Sequence, residues 1–293
     1  MNISFIGDLS PIFYMHWQKY VENFTQAAFD VGFSDAYVEK CLKYADRLFQ
    51  NDLPVIFSAE HLSILVGVDE ALLRHVAYSQ SGFYRTYQIP KKNGSLREIS
   101  EPLPNLKQIQ QWILTNILNK IPVSPFAKAF VAGRSIKENA RFHRNQSMVL
   151  SLDVQNFFPS LTPLQVRNVF SNLGYSKPLT YYLTRLCTLN GGLPQGAPTS
   201  PALSNIIFSP LDRQIGQFCL ERGVRYTRYA DDLTFSGRFA AGEFIQFSRT
   251  TLESLNLKLN ILKHSKRLES VEQLRPSLGQ VTLFEFCLCV EGR

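Results

Sequence analysis

Apolar and polar positions alternate with two different periods along this chain, and the change of period divides it. In "SAEHLSILVGVDEALLRHVAY" the residues Leu62, Leu65, Val68, Leu72, Leu73 and Val76 recur every three to four positions, which predicts one amphipathic helical stripe. Residues 1–80 therefore read as an N-terminal helical region. In "YRTYQIPKKNGSLREISEP" two short β-forming runs flank Asn93-Gly94, the strongest short hairpin signal. The helical period returns over residues 105–120, with Ile109, Trp112, Ile113, Ile117 and Leu118 on one face, and Pro122 and Pro125 close it. "SMVLSLDVQNFFPS" reads as a buried strand running into a turn. Three helices are expected from "PLQVRNVFSNLGY", "KPLTYYLTRLCTL" and "PALSNIIFSPLDRQIGQFCLERG", the last entered through the Gly/Pro-rich loop "NGGLPQGAPTSP". A second hairpin, "VRYTRYADDLTFSG", precedes a last helix in "GEFIQFSRTTLESLNLKL". No internal repeat or low-complexity segment interrupts the pattern.

Composition narrows the class. The 293 residues are 45% hydrophobic and 19% charged, as in a globular chain able to bury a sizeable core. No apolar run is long enough to span a bilayer, and the start lacks the basic-then-apolar pattern of a signal peptide, so a cytoplasmic protein with no membrane partner is expected. The five cysteines are scattered and odd in number, which fits a reducing compartment, and none sits in a zinc-ligand spacing. The net charge of +7 favours a polyanionic partner.

The acids supply the candidate chemistry. Asp231 and Asp232 alone read as solvated turn residues. Asp153, alone in the apolar run "VLSLDVQNFF", reads as a cap after a strand. If that strand lies beside the second hairpin, three carboxylates converge at one sheet edge, and their repulsion calls for cations. Oxygen-only ligand sets suit Mg²⁺. Two such ions about 3.5–4 Å apart can activate a hydroxyl and stabilise a leaving pyrophosphate.

"LDVQNFF", "GLPQGAPTSPALSN" and "YADD", in this order, resemble the palm motifs of reverse transcriptases. The resemblance implies an α/β (α+β) right-hand polymerase with fingers and palm and an antiparallel palm sheet. Asp153, Asp231 and Asp232 would hold two Mg²⁺ ions, for which Mn²⁺ can substitute, with the Val154 carbonyl as a further ligand. Lys263, with its neighbours Lys258 and Lys266 as alternatives, would protonate the leaving pyrophosphate. Lys91 or Lys92, with Arg97, would hold the deoxynucleoside triphosphate, with Gln195 and Gly196 beside it. Phe158 would lie under the sugar; core packing is the plain reading of both Phe157 and Phe158, and since strand neighbours point to opposite faces, one of the pair would pack while the other lines the site. Asn139, Ala140 and His143 fit the Asn-Ala-x-x-His pattern of bacterial retron reverse transcriptases, implying a role in binding structured RNA or supporting the active site; a polar helix face is their plain reading.

A retron enzyme copies a structured noncoding RNA into branched single-stranded DNA, and such systems act in antiphage defence with an accessory effector protein. Another bacterial reverse transcriptase, group II intron-like or defensive, and an RNA-binding assembly protein are the alternatives. The segments expected are an N-terminal helical region over 1–80, fingers with part of the palm over 81–145, palm over 146–282, and a divergent tail over 283–293. Val281-Thr282 fit the family, but Leu283 stands where it has Gly. That implies a thumb that is missing or truncated.

Overall fold

The computed structural model describes residues 17–90, 94, 96–260 and, for the backbone alone, 265–268. The expected thumb position and tail, the 282/283 boundary, Lys91, Lys92 and Lys263 lie outside the described residues. In chain order the elements are α1 (Trp17–Asp30), α2 (Asp35–Phe49), α3 (Ala59–Val66), α4 (Glu70–Tyr78), β1 (Tyr84–Pro90), β2 (Leu96–Pro102), α5 (Pro104–Asn116), α6 (Ile136–Phe142), β3 (Met148–Asp153), α7 (Phe157–Ser160), α8 (Pro163–Asn172), α9 (Lys177–Cys187), α10 (Ser200–Glu221), β4 (Arg225–Tyr229), β5 (Asp232–Gly237), α11 (Ala241–Glu253) and β6 (Ser265–Leu268). This is a mixed α+β chain with antiparallel sheets, as the resemblance implies. Among the described residues no helix is long and apolar enough to cross a membrane.

The chain divides into two compact units, each discontinuous in sequence where the sequence reading draws consecutive segments. One combines Met1–Pro122 with Phe158–Ile207; the other combines Val123–Phe157 with Phe208–Arg293.

The first unit is helical apart from the antiparallel pair β1 and β2, whose terminal partners are Pro90↔Leu96 and Tyr84↔Pro102. The stripe expected over 58–78 is carried by two helices, α3 and α4. Gly67 takes a left-handed φ of +76° and caps α3, and the Asp69 carboxylate accepts from the amides of Ala71 and Leu72 to start α4. Side-chain amides join the helices: Gln110 Nε2 donates to the Leu186 carbonyl at 2.8 Å, linking α5 to α9, and Gln80 Nε2 donates to the Thr188 carbonyl at 2.6 Å.

In the second unit four antiparallel strands lie in the order β4-β5-β3-β6. Its core is aromatic. Tyr226 stacks on Phe235 at 5.2 Å, and Phe244 meets Phe235 at 5.7 Å and Phe218 at 5.0 Å. Phe126 fits against α10 only because residue 216 is glycine: a Cβ there would stand 2.2 Å from the ring.

Candidate active site

The register of the four-stranded sheet sets the site. β3 is buried along most of its length and ends on Asp153, which is 9% exposed. Its partner across the β3–β5 ladder is Asp232, so these two side chains share one face of the sheet at its end. β4 and β5 close on Tyr229↔Asp232, leaving Ala230 and Asp231 as a two-residue turn. The Val154 amide donates to the Asp231 carbonyl at 2.9 Å, which ties that turn to the end of β3. The backbones of all three acids thus converge as the sequence predicts.

The neighbours of Asp153 are polar. Asn260 donates to it twice, through its backbone amide to the Asp153 carbonyl at 2.8 Å and through Nδ2 to Oδ2 at 3.0 Å. Gln155 N donates to the Lys258 carbonyl at 2.8 Å, holding the strand exit against residues 258–260. As the side chains stand, no three His, Cys, Asp or Glu among the described residues form a ready metal cage. A magnesium ion does not require one, since it binds through one or two carboxylates and fills its octahedron with water and phosphate oxygens. Asp153 and Asp232, paired acids with oxygen donors, fit that mode.

Two residues that the sequence reading did not single out anchor the turn. Arg228 and Asp212 are both 0% exposed. The guanidinium grips the carboxylate in bidentate fashion, Nε to Oδ1 at 3.0 Å and Nη2 to Oδ2 at 2.8 Å, and lies 4.4 Å from the Phe208 ring centroid. Tyr226 adds a hydroxyl bond to Asp212 Oδ1 at 2.8 Å; burial, then the Asp212 charge, pushes that phenol well above its usual range. The remaining arm, Arg228 Nη1, donates to the Ala230 carbonyl at 3.0 Å. Ala230 has φ +56°, a conformation costly for a residue with a Cβ, and it directly precedes Asp231. The signal in the sequence was an Arg inside a β-run and a lone Asp inside an apolar helix. Their partnership is tertiary.

Asn139 and His143 point inward. They are 5% and 7% exposed, whereas Ala140 is exposed. The Thr227 hydroxyl donates to Asn139 Oδ1 at 2.6 Å. Its one hydrogen is thereby used, so at 2.7 Å it accepts from His143 Nε2, and Nδ1, also at 2.7 Å, accepts from the Ser236 hydroxyl. These side chains seat α6 on β4 and β5, which argues against their direct contact with RNA. Burial first, then the charges of Arg225 and Lys128, lowers the His143 pKa to about 4.

The linkage has a definite sign. A histidine held below its unfolded pKa of about 6.5 stabilises the fold fully above that value, and the contribution is lost as pH falls from there toward 4. The stability difference between wild type and His143→Gln should shrink by on the order of 3 kcal/mol over that interval in urea unfolding. A difference that stays flat between pH 7 and 4 would refute the buried neutral imidazole.

Arg97, Phe158, Gln195 and Gly196 belong to the first unit, and Phe157 is the last residue of a segment of the second. Phe157 is buried and Phe158 half-buried, so one ring of the pair packs more deeply than the other. The reason is not strand alternation, because β3 ends at Asp153 and the two rings diverge on the helix α7. The Gln195 carbonyl accepts from Ser100 N at 2.7 Å, fastening the Gly/Pro-rich loop to β2. Gly196 has φ +119°, and a Cβ there would lie 3.0 Å from the Ser100 carbonyl, so conformation and close approach both require glycine. Arg97 is exposed on β2.

A sequence model of the family "Reverse transcriptase (RNA-dependent DNA polymerase)" matches residues 89–275. The chain belongs to the reverse transcriptase family. The family works with divalent metal ions. Among curated relatives, the chain is 41% identical to the Escherichia coli protein "Retron Ec86 reverse transcriptase" over 194 residues, covering 66% of this chain and 61% of that one. It is 38% identical over 213 residues to "Retron Mx65 reverse transcriptase" of Myxococcus xanthus, covering 65% and 50%. "Retron Mx162 reverse transcriptase" from the same organism is 36% identical over 213 residues, covering 65% and 44%. The resemblance to retron reverse transcriptases is thereby borne out. The matches span 44% to 61% of these relatives' lengths.

Proposed function

We propose that the chain is an RNA-directed DNA polymerase of retron type. The observation that carries this reading is the pairing of Asp153 with Asp232 at the sheet end, with Asp231 in the adjoining turn. In the reaction a primer hydroxyl oxygen bonds to the α-phosphorus of a deoxynucleoside triphosphate; the bond to the bridging oxygen breaks, and pyrophosphate leaves. Two Mg²⁺ ions, or Mn²⁺ in their place, would supply charge to the attacking and leaving oxygens when bound. Asp153 and Asp232 would hold them from opposite strands, with Asp231 and the Val154 carbonyl as further ligands. Asn260 would steady Asp153 through its bond to Oδ2, and Arg228 would fix the turn that carries Asp231.

The hairpin of β1 and β2 fits the role of fingers, and the four-stranded sheet that of palm. Arg97, with Lys91 and Lys92, would hold the triphosphate, and Lys263 would protonate pyrophosphate. Gln195 and Gly196 would border the nucleotide, and Phe158 would exclude a ribose 2′-hydroxyl. The template would be a structured noncoding RNA, the product branched single-stranded DNA made in the cytoplasm, and an accessory effector a further partner in antiphage defence.

Expression with the flanking noncoding DNA tests this reading. It predicts single-stranded DNA joined to RNA by a 2′–5′ branch. Ordinary primed synthesis without a branch would favour a group II intron-like or other defence enzyme, and no synthesis on any primer would favour an RNA-binding assembly protein.

A further inference from the structure

The inward aim of Asn139 and His143 fixes which side of α6 faces solvent. Arg141, Phe142 and Arg144 are exposed, Phe142 to 45%. The Phe142 ring has two cations within reach, with Arg225 Cζ 5.7 Å and Lys128 Nζ 5.9 Å from its centroid. Arg225 also caps α6, donating from Nη1 to the Phe142 carbonyl at 2.8 Å and, at 3.5 Å, to the Arg144 carbonyl, which leaves Nε and Nη2 to face a ligand. Lys128 Nζ donates to the Pro125 carbonyl at 3.0 Å.

A merely solvated helix face would interleave acids with its bases. Here residues 123–147 contain five Lys or Arg and one acid, Glu138. That carboxylate is committed to the capping box of α6, accepting from Ser135 N at 3.1 Å. Among the described residues none of Lys128, Arg141, Arg144 and Arg225 lies within ion-pair distance of a carboxylate. Burial, then the charge of Arg134, lowers the Lys128 pKa, so an arriving anion would relieve repulsion already present.

We propose that this outer face binds an unpaired stretch of nucleic acid, with a base against Phe142 and phosphates against Lys128, Arg141, Arg144 and Arg225. An exposed ring flanked by cations is the chemistry of single-strand binding, in which bases stack and phosphates pair. The face recognises features common to RNA and DNA. The proposal rests on the polymerase reading only for why such a strand would be at hand.

The test is fluorescence anisotropy of the full chain with labelled oligouridylate, oligodeoxythymidylate and a blunt duplex. Both single strands should bind better than the duplex. Binding of one single strand and not the other would assign the surface to RNA or to DNA and still support it. Phe142→Leu should weaken binding roughly five- to tenfold at unchanged salt dependence, and Phe142→Tyr should restore it. The double variant Arg141→Gln with Arg144→Gln should flatten the log–log salt slope by about 1.4, two phosphate contacts at about 0.7 each. Unchanged affinity in both Phe142→Leu and the double variant, preference for duplex, or equal displacement by polyglutamate would overturn the proposal. Primed incorporation by the same preparations separates the two readings. Strand binding lost in the variants, from a wild type that incorporates nothing, supports the surface and sinks the polymerase. Unaltered binding in variants of an active wild type sinks the surface and leaves the polymerase standing.

Discussion

Asp232→Asn should lower metal-dependent nucleotide incorporation by about a thousandfold or more while leaving the fold as stable as wild type or slightly more so. The two effects have one cause. Asp153 and Asp232 face each other across the ladder, and like charges so placed destabilise a sheet by up to about 1 kcal/mol. Neutralising one removes that repulsion in metal-free buffer. On the proposed reading it also removes charge that would hold the cation, and about 4 kcal/mol of lost transition-state stabilisation corresponds to the thousandfold. Thermal melting with and without Mg²⁺ reads the same balance: the wild type should gain stability from the cation, and the variant should gain less. Strong destabilisation of Asp232→Asn without metal would mean that the carboxylate serves the fold rather than the site.

Arg228→Met should cost about 3–5 kcal/mol of stability, because it leaves the Asp212 charge buried without its partner. The double variant Arg228→Met with Asp212→Asn should recover most of that loss, since replacing both members of a buried ion pair is often close to neutral. Incorporation should not recover with it. Neither replacement restores the donor at 3.0 Å from the Ala230 carbonyl, and the turn that carries Asp231 is then free to leave its left-handed conformation. Equilibrium unfolding and incorporation measured on both variants separate the roles. If activity returns in step with stability, Arg228 is only a structural residue.

The parts of this site that were legible in the sequence depend on neighbours along the chain. "VLSLDV" declared a buried strand ending in an acid, and "RYADDL" declared a tight turn between two β-runs. Their order matched a known set of motifs. Pairing could then be expected from topology, and β3 against β5 fulfils it. The parts that were not legible depend on partners distant in sequence. Arg228 and Asp212 are 16 residues apart on a strand and a helix, and neither has a local signal that names the other. The direction of Asn139 and His143 is a matter of helix phase, which a seven-residue helix with polar residues on both sides leaves open. The stripe from Leu62 to Val76 concealed the break at Gly67 because the apolar spacing continues through it. Strand alternation is the wrong geometry for Phe157 and Phe158, because the chain turns through Asn156 at φ +47° and both rings stand on α7.

Single-turnover addition of one deoxynucleotide to a primed RNA template in Mg²⁺, comparing wild type with Asp231→Asn at matched folded fraction, tests the central assignment most directly. The account predicts extension by the wild type and a loss of about a thousandfold or more in the variant. Extension by Asp231→Asn at the wild-type rate would contradict it.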